Sequence, residues 1–208
     1  MNGIFIAIEG LDGAGKGFVM MRLQEYIMGK SKRYDHLLLT REPTFGPIGR
    51  QIRELLAKEK DAFKDGKKFA ELYSKDREWH VKEHIQPALD KGYVVLCDRY
   101  KYSTIAFQQT QGLSFDEVYA LNKNFPIPDL TFILDLPPKT ALERIHQRND
   151  GRDKFEDQAF MEKLRGKYLE LPKLLPKNNL VLIDSSKDKE SVFRQVKEKL
   201  EEKKVLPY

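Results

Sequence analysis

Short apolar runs bounded by turn residues alternate along the chain with longer stretches in which apolar and charged positions mix at helical spacing. The runs fall at residues 4–8, 36–39, 93–97, 130–134 and 180–183, each the length of a strand buried on both faces. That alternation predicts an α/β, doubly wound, parallel five-stranded sheet with right-handed crossovers and helices on both faces. Ligands of such folds sit beyond the carboxyl ends of the strands. Polar residues gather there: Asp12, Lys16, Arg41, Glu42, Asp98 and Arg99 all follow predicted strands.

Between the second and third strands the periodicity predicts helices over residues 48–56 and about 68–89, with the polar stretch 57–67 as a loop. Ahead of them, T-R-E-P-T-F-G-P-I-G holds Pro43, Gly46, Pro47 and Gly49, a composition that shapes a loop beside the end of the first strand. Ser114 and Glu117 form a capping box after Gly112 closes the preceding helix, and Pro137 and Pro138 stand where a first helical turn tolerates proline. Residues 148–156, R-N-D-G-R-D-K-F-E, are polar and glycine-broken and read as a mobile flap. A charged amphipathic helix over about 190–203 ends the chain, before a short tail. No repeat or linker divides the sequence, so residues 1–208 are expected to form one domain.

The first strand runs directly into G-L-D-G-A-G-K-G. A glycine-rich turn between strand and helix lets backbone N–H groups converge on polyphosphate oxygens. The helix N-terminus adds positive potential, and a lysine reaches the distal phosphates. The candidate ATP-binding loop is therefore Gly10, Leu11, Asp12, Gly13, Ala14, Gly15, Lys16 and Gly17. Its last position departs from the pattern, which calls for a Ser or Thr hydroxyl toward Mg²⁺ where this chain has Gly17.

Composition narrows the partners. Over 208 residues the net charge is +5, which suits anionic ligands, yet acidic and basic residues alternate through the helices and no nucleic-acid-binding motif is present. With 33% charged residues and no spanning-length apolar stretch, the composition argues against a membrane span. The chain opens directly on the first strand, so no signal peptide is expected and the protein is placed in the cytoplasm. Cys97, the only cysteine, falls in a strand and reads as a buried, inert thiol. His36, His80, His84 and His146 lack a zinc-like grouping, and Trp79 reads as helix packing with a dimer face as the alternative.

In order and spacing, I-E-G-L-D-G-A-G-K, T-R-E-P, L-Y-S-K-D-R (72–77), D-R-Y (98–100) with S-T-I-A-F-Q behind it, P-D-L-T-F-I-L-D-L-P-P (128–138) and the flap ending R-D-K-F-E resemble the thymidylate kinases. These are P-loop nucleoside monophosphate kinases that transfer the terminal phosphoryl group of ATP to dTMP. The resemblance covers nearly the whole chain. It implies Mg²⁺ as cofactor with ATP, a homodimer, an acceptor-binding region over about 41–90 and a short lid over about 148–156. It also implies a cis peptide before Pro43.

The reaction spreads negative charge over the transferred group, so its catalysts are aligned cations. By resemblance Lys16 stabilises that group, Arg99 binds the acceptor phosphate, and Asp98 helps hold the metal, directly or through water. Arg53 matches a second acceptor-phosphate arginine, and Arg148 and Arg152, with Lys154 beside them, match lid cations, since the loop itself offers only Gly13. Tyr73 and Arg77, four apart on one helix face, match the thymine-stacking aromatic and the base-binding arginine. Asp12 matches the carboxylate on the sugar 3′-hydroxyl, with Glu42, Pro43, Ser103, Thr104, Phe107 and Gln108 completing the acceptor site. Phe107 and Thr104 stand where many relatives have Tyr and an amide. Each residue also has a plainer reading. Asp98 and Arg99 would serve as a strand-end ion pair, Tyr73 as core, and Arg53 and the flap cations as solvated surface. The alternatives for the whole are a kinase for another nucleoside monophosphate and a catalytically impaired regulatory module, the latter suggested by Gly17.

Overall fold

The computed structural model describes residues 3–30, 36–59, 61–147 and 157–206. Five strands, β1 (Ile4–Gly10), β2 (Leu37–Arg41), β3 (Val94–Asp98), β4 (Leu130–Asp135) and β5 (Leu180–Asp184), form one sheet in the order β2-β3-β1-β4-β5. Every pairing is parallel, as the apolar runs predict. β1 is central and buried throughout, because successive side chains enter opposite cores. Ile4, Ile6 and Ile8 pack with Val94, Leu96 and the α1 residues Val19, Leu23 and Ile27, where α1 is Lys16–Lys30. Phe5 and Ala7 turn to the other face, against Val95, Cys97, Ile85 and Ala88.

The order of strands makes the site. From β1 the chain goes first to one side, for β2 and β3, and then to the other, for β4 and β5, so a crevice opens at the carboxyl end of β1. Registers of Ile8 with Asp98, Arg41 with Asp98 and Gly10 with Leu134 bring the chemistry-bearing strand ends to one edge.

Helices α2 (Pro47–Lys58), α3 (Gly66–His80) and α4 (Gln86–Asp90) fill the β2–β3 connection. The helix expected over 68–89 is interrupted: residues Val81–Ile85 form a π-helical turn, with the Gln86 N–H donating to the Val81 carbonyl. Pro87 follows directly, and the wider turn accommodates a residue that has no N–H to donate and whose ring would crowd an α-helical carbonyl. Beyond β3 come α5 (Lys101–Thr110) and α6 (Phe115–Ala120), the latter opened by the expected Ser114–Glu117 capping box. α7 (Pro138–His146), α8 (Gln158–Leu174) and α9 (Lys189–Glu202) complete the layers. Among the described residues, no helix is long and apolar enough to cross a membrane.

Candidate active site

Two crevices meet at the end of β1. The first surrounds the glycine turn, lined by Asp12–Val19 with Asp98, Arg144, Gln147, Ser185 and Lys187 among others. Gly10 and Gly13 lie at φ +131° and +81°, and a Cβ on either would come within 2.6 Å of a backbone oxygen, of Leu134 and Ala141 respectively. Side chains are barred there by both backbone and neighbours. The turn is also held from outside, since the Ser185 Oγ donates to the Ala14 carbonyl at 2.5 Å while Arg144 bonds the Ser185 carbonyl at 3.1 Å. Lys16, nearly buried, lies along the loop with its Nζ 3.0 Å from the Leu11 carbonyl and 3.5 Å from Asp12 Oδ1. Burial and the charge of Arg99 lower its pKa, so an arriving polyphosphate meets an ammonium that gains from a counter-charge.

Asp98 ends β3 in the wall of the same crevice. Its Oδ2 lies 3.8 Å from Arg41, while its buried Oδ1 has no hydrogen-bond partner. A carboxylate oxygen left free beside a phosphate loop is a hard donor suited to a divalent cation. Among the described residues no group of three His, Cys, Asp or Glu side chains is placed to hold a metal ion, so these residues offer a cation few ligands, the arrangement for an ion that keeps waters and phosphate oxygens. Gly17 contributes none, and a Cβ built there meets nothing within 4 Å.

The second crevice is lined by Asp12, Glu42, Pro43, Arg53, Tyr73, Arg77, Arg99, Ser103, Thr104, Phe107 and Gln108, with Arg41, Phe45, Leu56 and Tyr100. All the acceptor residues expected from sequence are thus gathered in one place. Arg99 sits at φ +66° and donates to Gly10, Ser103 and Tyr168 through Nη1 and to Asp12 Oδ1, at 2.7 Å, through Nη2. Partial burial pushes the Asp12 carboxyl up. The charges of Arg99 and Lys16 nevertheless hold its carboxyl well below the usual range.

Behind the opening lies a buried polar cluster. Arg77 is fully buried and makes four bonds, to Glu42 Oε2 through Nε and Nη2, to Thr104 and to Asn122. One N–H on Nη1 is left over. Glu42 Oε1 is 3.0 Å from His80 Nδ1, and His80 Nε2 is 2.7 Å from the Thr40 hydroxyl. The Glu42–Pro43 bond is cis, as expected, and Asp76 fixes the loop beyond it by accepting from the Thr44 N–H and hydroxyl at 2.7 and 2.6 Å. Arg53 donates to the Pro43, Thr44 and Gly49 carbonyls and lies over the Phe45 ring at 4.5 Å, so it is a loop-binding as well as a crevice-lining residue. Phe107 presents its ring to Arg99 at 5.3 Å and packs on Phe160. The Cys97 thiol is buried, which pushes its pKa well up, as its inert reading requires. Arg148 and Arg152, with the lid at 148–156, lie outside the described residues.

Sequence reasoning missed several groups. Glu9, which follows the first apolar run, is completely buried and accepts from the Tyr100 and Ser103 N–H groups and the Ser103 hydroxyl. Burial raises its pKa to about 7, against the pull of those bonds and of Arg99. A carboxylate in a strand buried on both faces was the available signal. Asp76, Asn122, Tyr168 and Ser185 gave no comparable one, because their partners come from distant elements.

A polyphosphate loop and an arginine-lined acceptor crevice that share Asp12 and Arg99 define a P-loop phosphotransferase of the nucleotide kinase class. The thymidylate kinase family profile matches residues 8–196. A thymidylate kinase of Xanthomonas oryzae pv. oryzae is 40% identical over 93% of this chain and 81% of its own length. A protein named probable thymidylate kinase from Pyrococcus horikoshii is 39% identical over 87% and 88%. The chain belongs to the thymidylate kinase family.

Proposed function

We propose that this protein transfers the terminal phosphoryl group of ATP to dTMP, giving ADP and dTDP for dTTP synthesis. The observation that carries the reading is the meeting of the two crevices at Asp12 and Arg99, where donor and acceptor phosphates would come to one point. The glycine turn wraps the phosphates of ATP, and Lys16 follows the transferred group with its charge. Mg²⁺ bound with ATP would neutralise the phosphates, and Asp98 Oδ1 is the group of this chain that would hold it or its waters.

On the acceptor side, Arg99 orients the dTMP phosphate and Arg53 adds charge at the far wall. Asp12 accepts from the sugar 3′-hydroxyl, while Phe107 fills the space where a ribose 2′-hydroxyl would project. Tyr73 offers a ring face to thymine, and the remaining Arg77 Nη1 proton reaches a ring carbonyl. Arg148 and Arg152 are assigned to the lid's contribution to transition-state charge, on sequence alone. The same reading makes the working unit a cytoplasmic homodimer of one-domain subunits.

The test is ADP release from ATP and Mg²⁺ with dTMP, dUMP, UMP, AMP, CMP, GMP and thymidine as acceptors. Turnover largely confined to dTMP is expected. Binding of ATP and dTMP without turnover of any acceptor would overturn the proposal and leave a regulatory module.

A further inference from the structure

Arg99 is held by groups that its own loop does not supply. It occupies a left-handed backbone conformation that a β-carbon disfavours, at the junction of β3 and α5. The helix that follows is not capped by its own N-cap residue, Tyr100. Glu9 caps it from the neighbouring strand instead, accepting the Tyr100 N–H at 2.9 Å and the Ser103 N–H at 3.2 Å. Glu9 Oε2 also takes the Ser103 hydroxyl proton at 2.5 Å.

That last bond fixes the direction of the next one. With Glu9 ionised, the single Ser103 proton is committed to it, and Ser103 Oγ accepts from the Tyr168 hydroxyl, 2.8 Å away. Tyr168 then has its own oxygen free to accept from Arg99 Nη1 at 3.1 Å. The chain of donation runs Arg99, Tyr168, Ser103, Glu9, and ends on a carboxylate, so each bond polarises the next. Nη1 is taken up by Tyr168, Ser103 and the Gly10 carbonyl. Nε and one Nη2 proton remain for the crevice, the edge with which a guanidinium grips a phosphate bidentately.

We propose that Tyr168, on a helix that contributes no residue to the lining of the acceptor crevice, is a positioning residue for Arg99, acting with Ser103 and Glu9 to turn one guanidinium edge toward the acceptor phosphate. This rests on Arg99 binding that phosphate, as in the function above. Tyr168 is 2% exposed and belongs to the main core, so its ring is structural and only its hydroxyl carries the proposed role.

Tyr168→Phe removes that hydroxyl alone. Tyr102→Phe is the control, since Tyr102 is equally buried but its hydroxyl accepts from Asn178 at 3.0 Å, away from Arg99. Affinities for dTMP and for thymidine, which lacks the phosphate, are measured by calorimetry on wild type and both variants, beside the KM for ATP. Tyr168→Phe is expected to weaken dTMP by about tenfold while leaving thymidine and the ATP KM unchanged, and Tyr102→Phe to leave the ratio of the two affinities as in wild type. Equal weakening of dTMP and thymidine, or an unchanged ratio, would reduce Tyr168 to a packing residue and overturn the proposal. A wild-type protein that binds thymidine and dTMP equally would show the fault to lie in the assignment of Arg99.

Discussion

Two single positions, Gly17 in the first turn of α1 and Glu9 in β1, lead to measurements of opposite kinds. Gly17 lacks the hydroxyl usual at its place in the loop, and the space around it is open, so a serine fits without displacing a neighbour. Gly17→Ser is expected to lower the Mg²⁺ concentration needed for half-maximal turnover, read from a metal titration at saturating ATP and dTMP. An unchanged titration would mean that Asp98, the phosphates and water already satisfy the ion. Glu9 bears on stability. Its native pKa of about 7 lies above the ordinary carboxyl value of 4.5, so between these pH values the folded state keeps a proton that the unfolded chain has released. Stability from this group is therefore lost as pH rises through that window, by about 3 kcal/mol in all, and levels off above it. In denaturant titrations Glu9→Gln should lack that slope, gaining on wild type from pH 5 to pH 7.5.

The elements divide into those whose determinants are local and those whose determinants are not. The five strands, the capping box at Ser114 and the glycine turn were legible because period, cap and turn chemistry lie within a few residues of each other. The π-helical turn was not, since an apolar stripe along residues 68–89 suits a continuous helix and only Pro87 marks the break. The acceptor residues were legible as motifs, but their mutual support was not: it depends on Asp76 and Asn122, which meet Thr44 and Arg77 only after folding. The bond from α3 to the loop after Pro43 can be tested directly. Asp76→Ala leaves the buried Thr44 N–H and hydroxyl without acceptors, and should cost about 2–3 kcal/mol in chemical denaturation and raise the KM for dTMP more than that for ATP. Equal effects on both KM values would show that the loop serves the fold and not the acceptor.

For the whole molecule, the sheet holds both crevices on the carboxyl ends of strands that pair directly, so ligands in either bind only the folded arrangement. A non-hydrolysable ATP analogue or dTMP at about a hundred times its Kd should add about 2.7 kcal/mol of stability. For a chain of this length that is a rise in Tm of roughly 5–10 °C, readable in a thermal scan. UMP at the same concentration should give a smaller rise if the acceptor crevice selects as assigned.

The ion pair between Asp12 and Arg99, 2.7 Å apart, sets a carboxylate and a guanidinium side by side at the junction of the crevices. Arg99 keeps Nε and one Nη2 proton beyond this bond, and Asp12, half-exposed, keeps oxygen lone pairs toward the crevice, so each can take a further partner while the pair stays intact. On the proposed assignment, a molecule that carries both a phosphate and a hydroxyl would engage the two members of the pair together, and one that carries a single such group would engage only one of them.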